Sequence, residues 1–436
     1  MGSQRGSGVR FVRRYGGVVL VVLLIATLLP AGCRSKENPQ EAREVKFYTW
    51  KPNQPEVWDE VIALFEKEHP GVTVRREIGP HSSTAFHDLL AQKLKNRSTD
   101  LDVFLMDVVW PAEFAAAGWA RPLDDRFPPA DRAAFLPGTI AANTFEGKIY
   151  GVPLYTASGM LYYRKDLLDR HGFPPPETWE EMVRQAAAIT AREPEIHGFS
   201  AQFRQYEGLV CNMLEVIMSN GGHLLDPGGK PAIAEPRALE AVRFVRERIV
   251  GAAAPQGVLT YAEPESLALF VQGRAVFHRN WPYAWAVANN PEHSTVAGKV
   301  GVSVLPHFPG GQSHAALGGW QVGISAYSEN VDLAWTFVRF LTSERIQKRL
   351  AIRAGLAPTR RVLYDDGDVL AAHPQFGPMK AVFLSAVPRP VSPLYPALSH
   401  ILQRYFSKAL SDPRADLAAE ARKAAAEMEK TLALMR

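Results

Sequence analysis

Between Val45 and Met106 the hydrophobic pattern switches from the strand period to the helical period and back, more than once. Val45 to Trp50 alternates weakly and is rich in β-formers, and Val57 to Glu68 carries Trp58, Val61, Ile62, Leu64 and Phe65 at helical spacing. His69-Pro70-Gly71 stops that helix. Val72 to Ile78 then reads as a second strand, Phe86 to Lys95 as a second helix, and Val103 to Met106 as a short buried strand. A βαβαβ order implies a largely parallel sheet with helices on both faces, and it puts ligand crevices at the carboxyl ends of the strands. Asp107 falls at such an end.

The chain has 436 residues, 47% of them hydrophobic, which exceeds what one core holds and calls for two or more lobes. Its formal charge of +4 is carried by Arg5, Arg10, Arg13 and Arg14, in an N-terminal stretch without Asp or Glu. The rest is neutral, so nucleic acid and other polyanions are excluded as partners. Behind those arginines runs an apolar segment of 12 residues, Val18 to Leu29, which suits a signal-peptide core and is too short for a bilayer of ~30 Å. It ends in Leu29-Pro30-Ala31-Gly32-Cys33, and the small residues before Cys33 resemble a bacterial lipobox. That likeness implies a signal peptide over 1–32, lipid on Cys33, a tether over 33–44, and an exported protein anchored to the cell membrane and facing the periplasm or cell exterior. Beyond Cys33 only Cys211 remains, so the body has no intramolecular disulfide; its apolar context reads as an inert buried thiol.

Further helices are expected over 179–191, 239–249, 331–341, 344–352 and 414–435, with a short strand over 275–278. Aromatics beside polar groups then set the chemistry. Asn280-Trp281-Pro282-Tyr283-Ala284-Trp285 holds two rings two residues apart across a stiffening proline, and Leu317-Gly318-Gly319-Trp320 presents an indole after two glycines. Aromatic faces cover the C–H faces of sugars while polar groups meet their hydroxyls, so such pairings suit a carbohydrate.

Several blocks together resemble the family 1 extracellular solute-binding proteins of ABC importers, nearest to the trehalose/maltose-binding branch. They are Asp102 to Trp110, Tyr150 to Tyr155, Leu161 to Leu168, Gln205 to Cys211, Asn280 to Trp285, Leu317 to Trp320 and Val387 to Val391. The resemblance implies an α/β, two-lobed, periplasmic-binding-protein-like fold with a ligand cleft and several inter-lobe crossovers. Its lobes are expected over 45–154 with 312–364, and over 155–311 with 365–436. It further implies a monomer that closes on a small carbohydrate and delivers it to a membrane permease, with no cofactor or metal. Carried over by position, Asp107 and Arg389 are hydroxyl-binding charges, Trp281, Tyr283 and Trp320 are aromatic contacts, Tyr155 and Gly318 are further lining, and Gln54 faces the cleft. The chain departs from the branch at Gln54, Phe86 and Ala157, where Glu, Arg and Asp serve as contacts. Losing such partners costs ~1 to 3 kcal/mol each, so a different sugar is expected, with Phe86 available as an extra ring face. A glycoside-acting enzyme is the rival reading. Against it, Asp124-Asp125 and Asp365-Asp366 look like turn residues, and no nucleophile elbow or metal-spaced His/Cys cluster occurs.

Overall fold

Strand β1 (Arg43–Thr49) leads into helix α1 (Pro55–Glu68), then β2 (Val72–Ile78), α2 (Ser83–Lys95) and β3 (Val103–Asp107) in the computed structural model, which describes residues 43–435. The elements follow from their periods. Helix α1 buries Val57, Trp58, Val61, Ile62 and Phe65, and α2 buries Phe86, Leu90 and Leu94, both sets recurring at helical steps. Helix α2 starts earlier than its apolar pattern because the Ser82 hydroxyl accepts the Ala85 N–H at 3.4 Å and caps it. The leader, Cys33 and most of the tether lie outside the described residues, and β1 already begins at Arg43.

Strands β2, β1 and β3 are parallel neighbours. Beyond them the expectation of a largely parallel sheet fails. Strand Leu317–Ile324 enters antiparallel between β3 and Val152–Ser158, and Ala357–Pro358 adds antiparallel at that edge. Periodicity identifies a strand but says nothing of the direction taken by a neighbour distant in sequence. A second sheet runs Val300–Ser303, Met160–Arg164, Ala275–Asn280, His197–Ser200, antiparallel except for its last pair.

Each sheet anchors one lobe. Phe47, Phe65, Phe104 and Phe337 belong to the core of the first, and Trp179, Leu209, Ile217, Phe277 and Phe406 to that of the second. Helices Val331–Leu341 and Glu344–Ala354 pack with α1 on the first lobe, while Glu207–Ser219, Tyr395–Ser411 and Leu417–Leu432 pack together on the second. The expected helix over 239–249 is instead Pro236–Phe244 continued by π-turns over Val245–Ala253.

The chain passes between the sheets at Gly159, again between Ser303 and Leu317, and a third time after helix Phe376–Ser385, which still packs on Val152–Ser158. The second passage spans the expected handover at 311/312, while the first and third lie later in the chain than the expected 154/155 and 364/365. The second and third passages run side by side: Leu317 N–H donates to Val387 O, and Val387 N–H to Ala315 O, each at 2.7 Å.

Candidate functional site: a cleft between the lobes

A cleft opens where the strand ends of the first sheet meet the second lobe, lined by Trp50, Asp107, Tyr155, Trp281, Tyr283 and Trp320. Trp50 follows β1, Asp107 ends β3, and Trp320 lies opposite Asp107 in the ladder. Pairing slips after Trp320, and such a bulge re-aims the side chain beside it. Gly319 has φ +126°, and a Cβ there would lie 2.6 Å from Tyr155 O, so only glycine fits. Trp320 stacks on Trp50 at 5.6 Å and meets Trp110 edge-on at 5.5 Å, while the Trp50 Nε1–H donates to the Tyr155 hydroxyl at 2.9 Å. Aromatic packing therefore builds the first-lobe wall.

The second-lobe wall follows strand Ala275–Asn280. Trp281 rests one face on the Arg279 guanidinium, 4.0 Å from its ring centre, a cation–π arrangement. Glu215 holds Arg279 from below, its Oε2 2.7 Å from Arg279 Nε, and Arg279 also donates to Gln202 Oε1 at 3.1 Å. Both partners of that ion pair have side chains 2% exposed. Tyr283 follows across Pro282, and its backbone lies against Gly355 of the first lobe.

Charge concentrates where the lobes join. Arg389, on the third passage, donates from Nη2 to Asp107 Oδ1 and from Nη1 to Glu207 Oε1, each at 2.7 Å. Glu207 begins a second-lobe helix and also accepts from Tyr395 Oη at 2.5 Å and from Ser399 Oγ. Its own N–H donates to Thr84 Oγ1 of α2 at 3.1 Å, so the cluster ties both lobes to the passage. Burial works against the charge on Arg389, but Asp107 and Glu207 outweigh it and hold its proton more tightly than usual. Burial pushes the Asp107 carboxyl above its ordinary range against the pull of Arg389. Asp107 Oδ1 also accepts the Val109 N–H at 3.3 Å, while Oδ2 has no bond among the described residues and is left for the cleft.

Asp107, Tyr155, Trp281, Tyr283, Gly318, Trp320 and Arg389 all line this one cleft, as does Ala157. Gln54 does not. It precedes Pro55 at the start of α1 and lines a small neighbouring hollow, leaving Asn53 in the cleft. Phe86 offers no ring face either: it is fully buried, packed between Tyr48, Trp110 and Trp320, as the i, i+4 step to Leu90 and Leu94 dictates. Cys211 lies at the cleft floor with its thiol raised by burial. Asp366 caps helix Gly367–Ala372. Sequence reasoning missed Trp50, Tyr206, Glu207 and Glu263 as lining. The position of Trp50, directly after β1, is a signal of the same kind as Asp107 at the end of β3; Glu263, in Ala262-Glu263-Pro264-Glu265, carries only the signal of a helix start.

Residues 51–348 match the model of the bacterial extracellular solute-binding protein family. A probable ABC transporter-binding protein of Deinococcus radiodurans is 42% identical over 328 residues, 74% of this chain and 77% of that one. Maltose-bound MalE3 of T. maritima superposes with a TM-score of 0.86 at 38% identity, covering 89% of this chain and 100% of that one. A mannitol-bound solute-binding protein of Agrobacterium vitis, 24% identical, shares the fold with a TM-score of 0.80, covering 90% of this chain and 99% of that one.

Proposed function

The chain belongs to the bacterial extracellular solute-binding protein family, and we propose that it captures a saccharide between its lobes and releases it intact to an ABC permease. The observation that carries this reading is the composition of the cleft: Trp320 and Trp50 from one lobe, Trp281 and Tyr283 from the other, and a charged cluster that joins both. Aromatic rings suit the C–H faces of a sugar, and Asp107 Oδ2 is an open acceptor for a hydroxyl. Because contacts come from both lobes, binding favours the closed arrangement. Asp107 and Glu207 share the cleft, but each is committed to Arg389, which suits gripping a ligand more than cleaving it.

The sugar itself differs from the branch's disaccharides in our reading. Ala157 supplies no polar group, Gln54 lies outside the cleft and Phe86 lies behind it. Maltose and trehalose then bind more weakly here than in typical members of that branch. Export with lipid on Cys33 completes the proposal, supported by the lipobox-like residues before it; mass spectrometry of the membrane fraction tests it. A thermal-shift screen of saccharides and polyols tests the main reading, since a ligand at ~100 times its Kd stabilises the folded state by about 2.7 kcal/mol. A panel in which no saccharide or polyol raises the melting temperature would overturn it.

A further inference from the structure

Trp281 presents two chemically different edges to its surroundings. Its benzene edge lies against Gly318, where a Cβ would fall 3.1 Å from Trp281 Cζ3 and 3.3 Å from Ala157 Cβ. At the pyrrole edge its Nε1–H donates to Glu263 Oε1 at 3.1 Å, and Glu263 Oε2 accepts from the Tyr206 hydroxyl at 2.6 Å. Glu263 and Tyr206 both line the cleft. A carboxylate has about four lone-pair sites, so two remain for a ligand.

The support behind Glu263 is rigid. It is the first residue of helix Glu263–Val271, where the helix dipole favours an anion. Ser266 Oγ donates to Glu263 O at 3.1 Å and accepts from Gln202 Nε2 at 2.8 Å, and that amide also donates to Arg279 O at 3.0 Å. Gln202 Oε1 in turn accepts from the Arg279 guanidinium, on which the indole rests. The same short network therefore fixes the ring by its rear face and by its N–H.

We propose that Glu263 is the positioning residue of the Trp281 platform and that, with Tyr206, it reads a ligand hydroxyl at the pyrrole edge of that ring. Polar recognition has thus moved from the first-lobe strand, where Ala157 stands, to a second-lobe helix. The second half of this statement rests on the saccharide reading above; the first half does not.

The test uses the full chain with its tryptophans labelled with ¹⁵N at the indole nitrogen, which gives nine indole N–H signals to follow. Trp281→Phe identifies the Trp281 signal by its loss. In Glu263→Ala that signal shifts and its hydrogen exchange with solvent quickens at least tenfold, whereas Glu263→Gln, which keeps an acceptor, preserves it. Maltose affinity, measured by calorimetry, falls at least tenfold in Glu263→Ala and less in Glu263→Gln. An indole signal unmoved in a folded Glu263→Ala protein overturns the positioning role, and unchanged maltose affinity overturns the recognition role. If the wild type binds neither maltose nor any other saccharide, the saccharide reading and the recognition role fall together, while the indole signal still decides whether Glu263 holds Trp281.

Discussion

Two buried arginine clusters lie near the cleft and are built for different ends. Arg279 and Glu215 form a sealed pair, and Glu215 Oε1 also accepts the Ala316 N–H at 3.1 Å on the second passage. Gly159, on the first passage, has no room for a side chain, since a Cβ there would fall 2.0 Å from Glu215 Oε1. Arg389, Asp107 and Glu207 are enclosed in the same way, yet among the described residues Asp107 Oδ2 has no hydrogen-bond partner, and Asp107 lines the cleft. A sealed pair in which each guanidinium nitrogen is bonded holds architecture; a cluster with a spare acceptor at a cavity wall is available to a ligand.

The contrast breaks most readily at Glu215. Glu215→Gln leaves Arg279 buried without an ionic partner, which costs about 3–5 kcal/mol, read as a lowered midpoint in denaturant unfolding. A loss under about 1 kcal/mol would show that the pair is not the architectural element described here.

A third charged cluster sharpens the comparison because it titrates. Burial opposes the charge on His87, but hydrogen bonds to Asp88 and Glu113 outweigh burial and lift it to about 9. A base whose folded value is raised stabilises fully below its unfolded value of about 6.5, and that stability fades as pH rises through the folded value. On the order of 3 kcal/mol is therefore lost between about pH 6.5 and 9, and His87→Gln flattens that slope in melting temperature against pH. An unchanged slope in the variant would assign the pH dependence to other groups.

At the open cluster the effect falls on binding more than on stability. Asp107→Asn leaves Arg389 its bonds to Glu207 and Leu317 O, so unfolding changes by about 1 kcal/mol. Saccharide affinity drops at least tenfold, about 1.4 kcal/mol, by calorimetry. The reverse balance would make this cluster architectural too. Smallest of all is Gln54→Ala, which should leave affinity within about twofold, because Gln54 lies outside the cleft; a larger loss would return that residue to the site.

How much of this the sequence shows depends on the range of the interaction involved. Local periods placed α1, α2 and the three parallel strands, and the strand-end rule brought Asp107 to the cleft. The helical stripe of Phe86, Leu90 and Leu94 also points Phe86 inward, against the ring face that the family position implies. Other features are set between segments far apart in the chain. The antiparallel entry of Leu317–Ile324, the partnering of Arg389 with both Asp107 and Glu207, and the hold of Glu263 on Trp281 have no signature in local pattern.

The central claim is that a saccharide is gripped between the lobes on Trp281 and left unchanged. Isothermal titration of the saccharide that most raises the melting temperature tests this directly, on the wild type and on Trp281→Ala, with the recovered sugar examined afterwards. The account predicts one site in the wild type, affinity lower by at least ~30-fold in the variant, as for a buried aromatic hot spot, and intact sugar. Equal affinity in the two proteins, or a cleaved sugar, would contradict it.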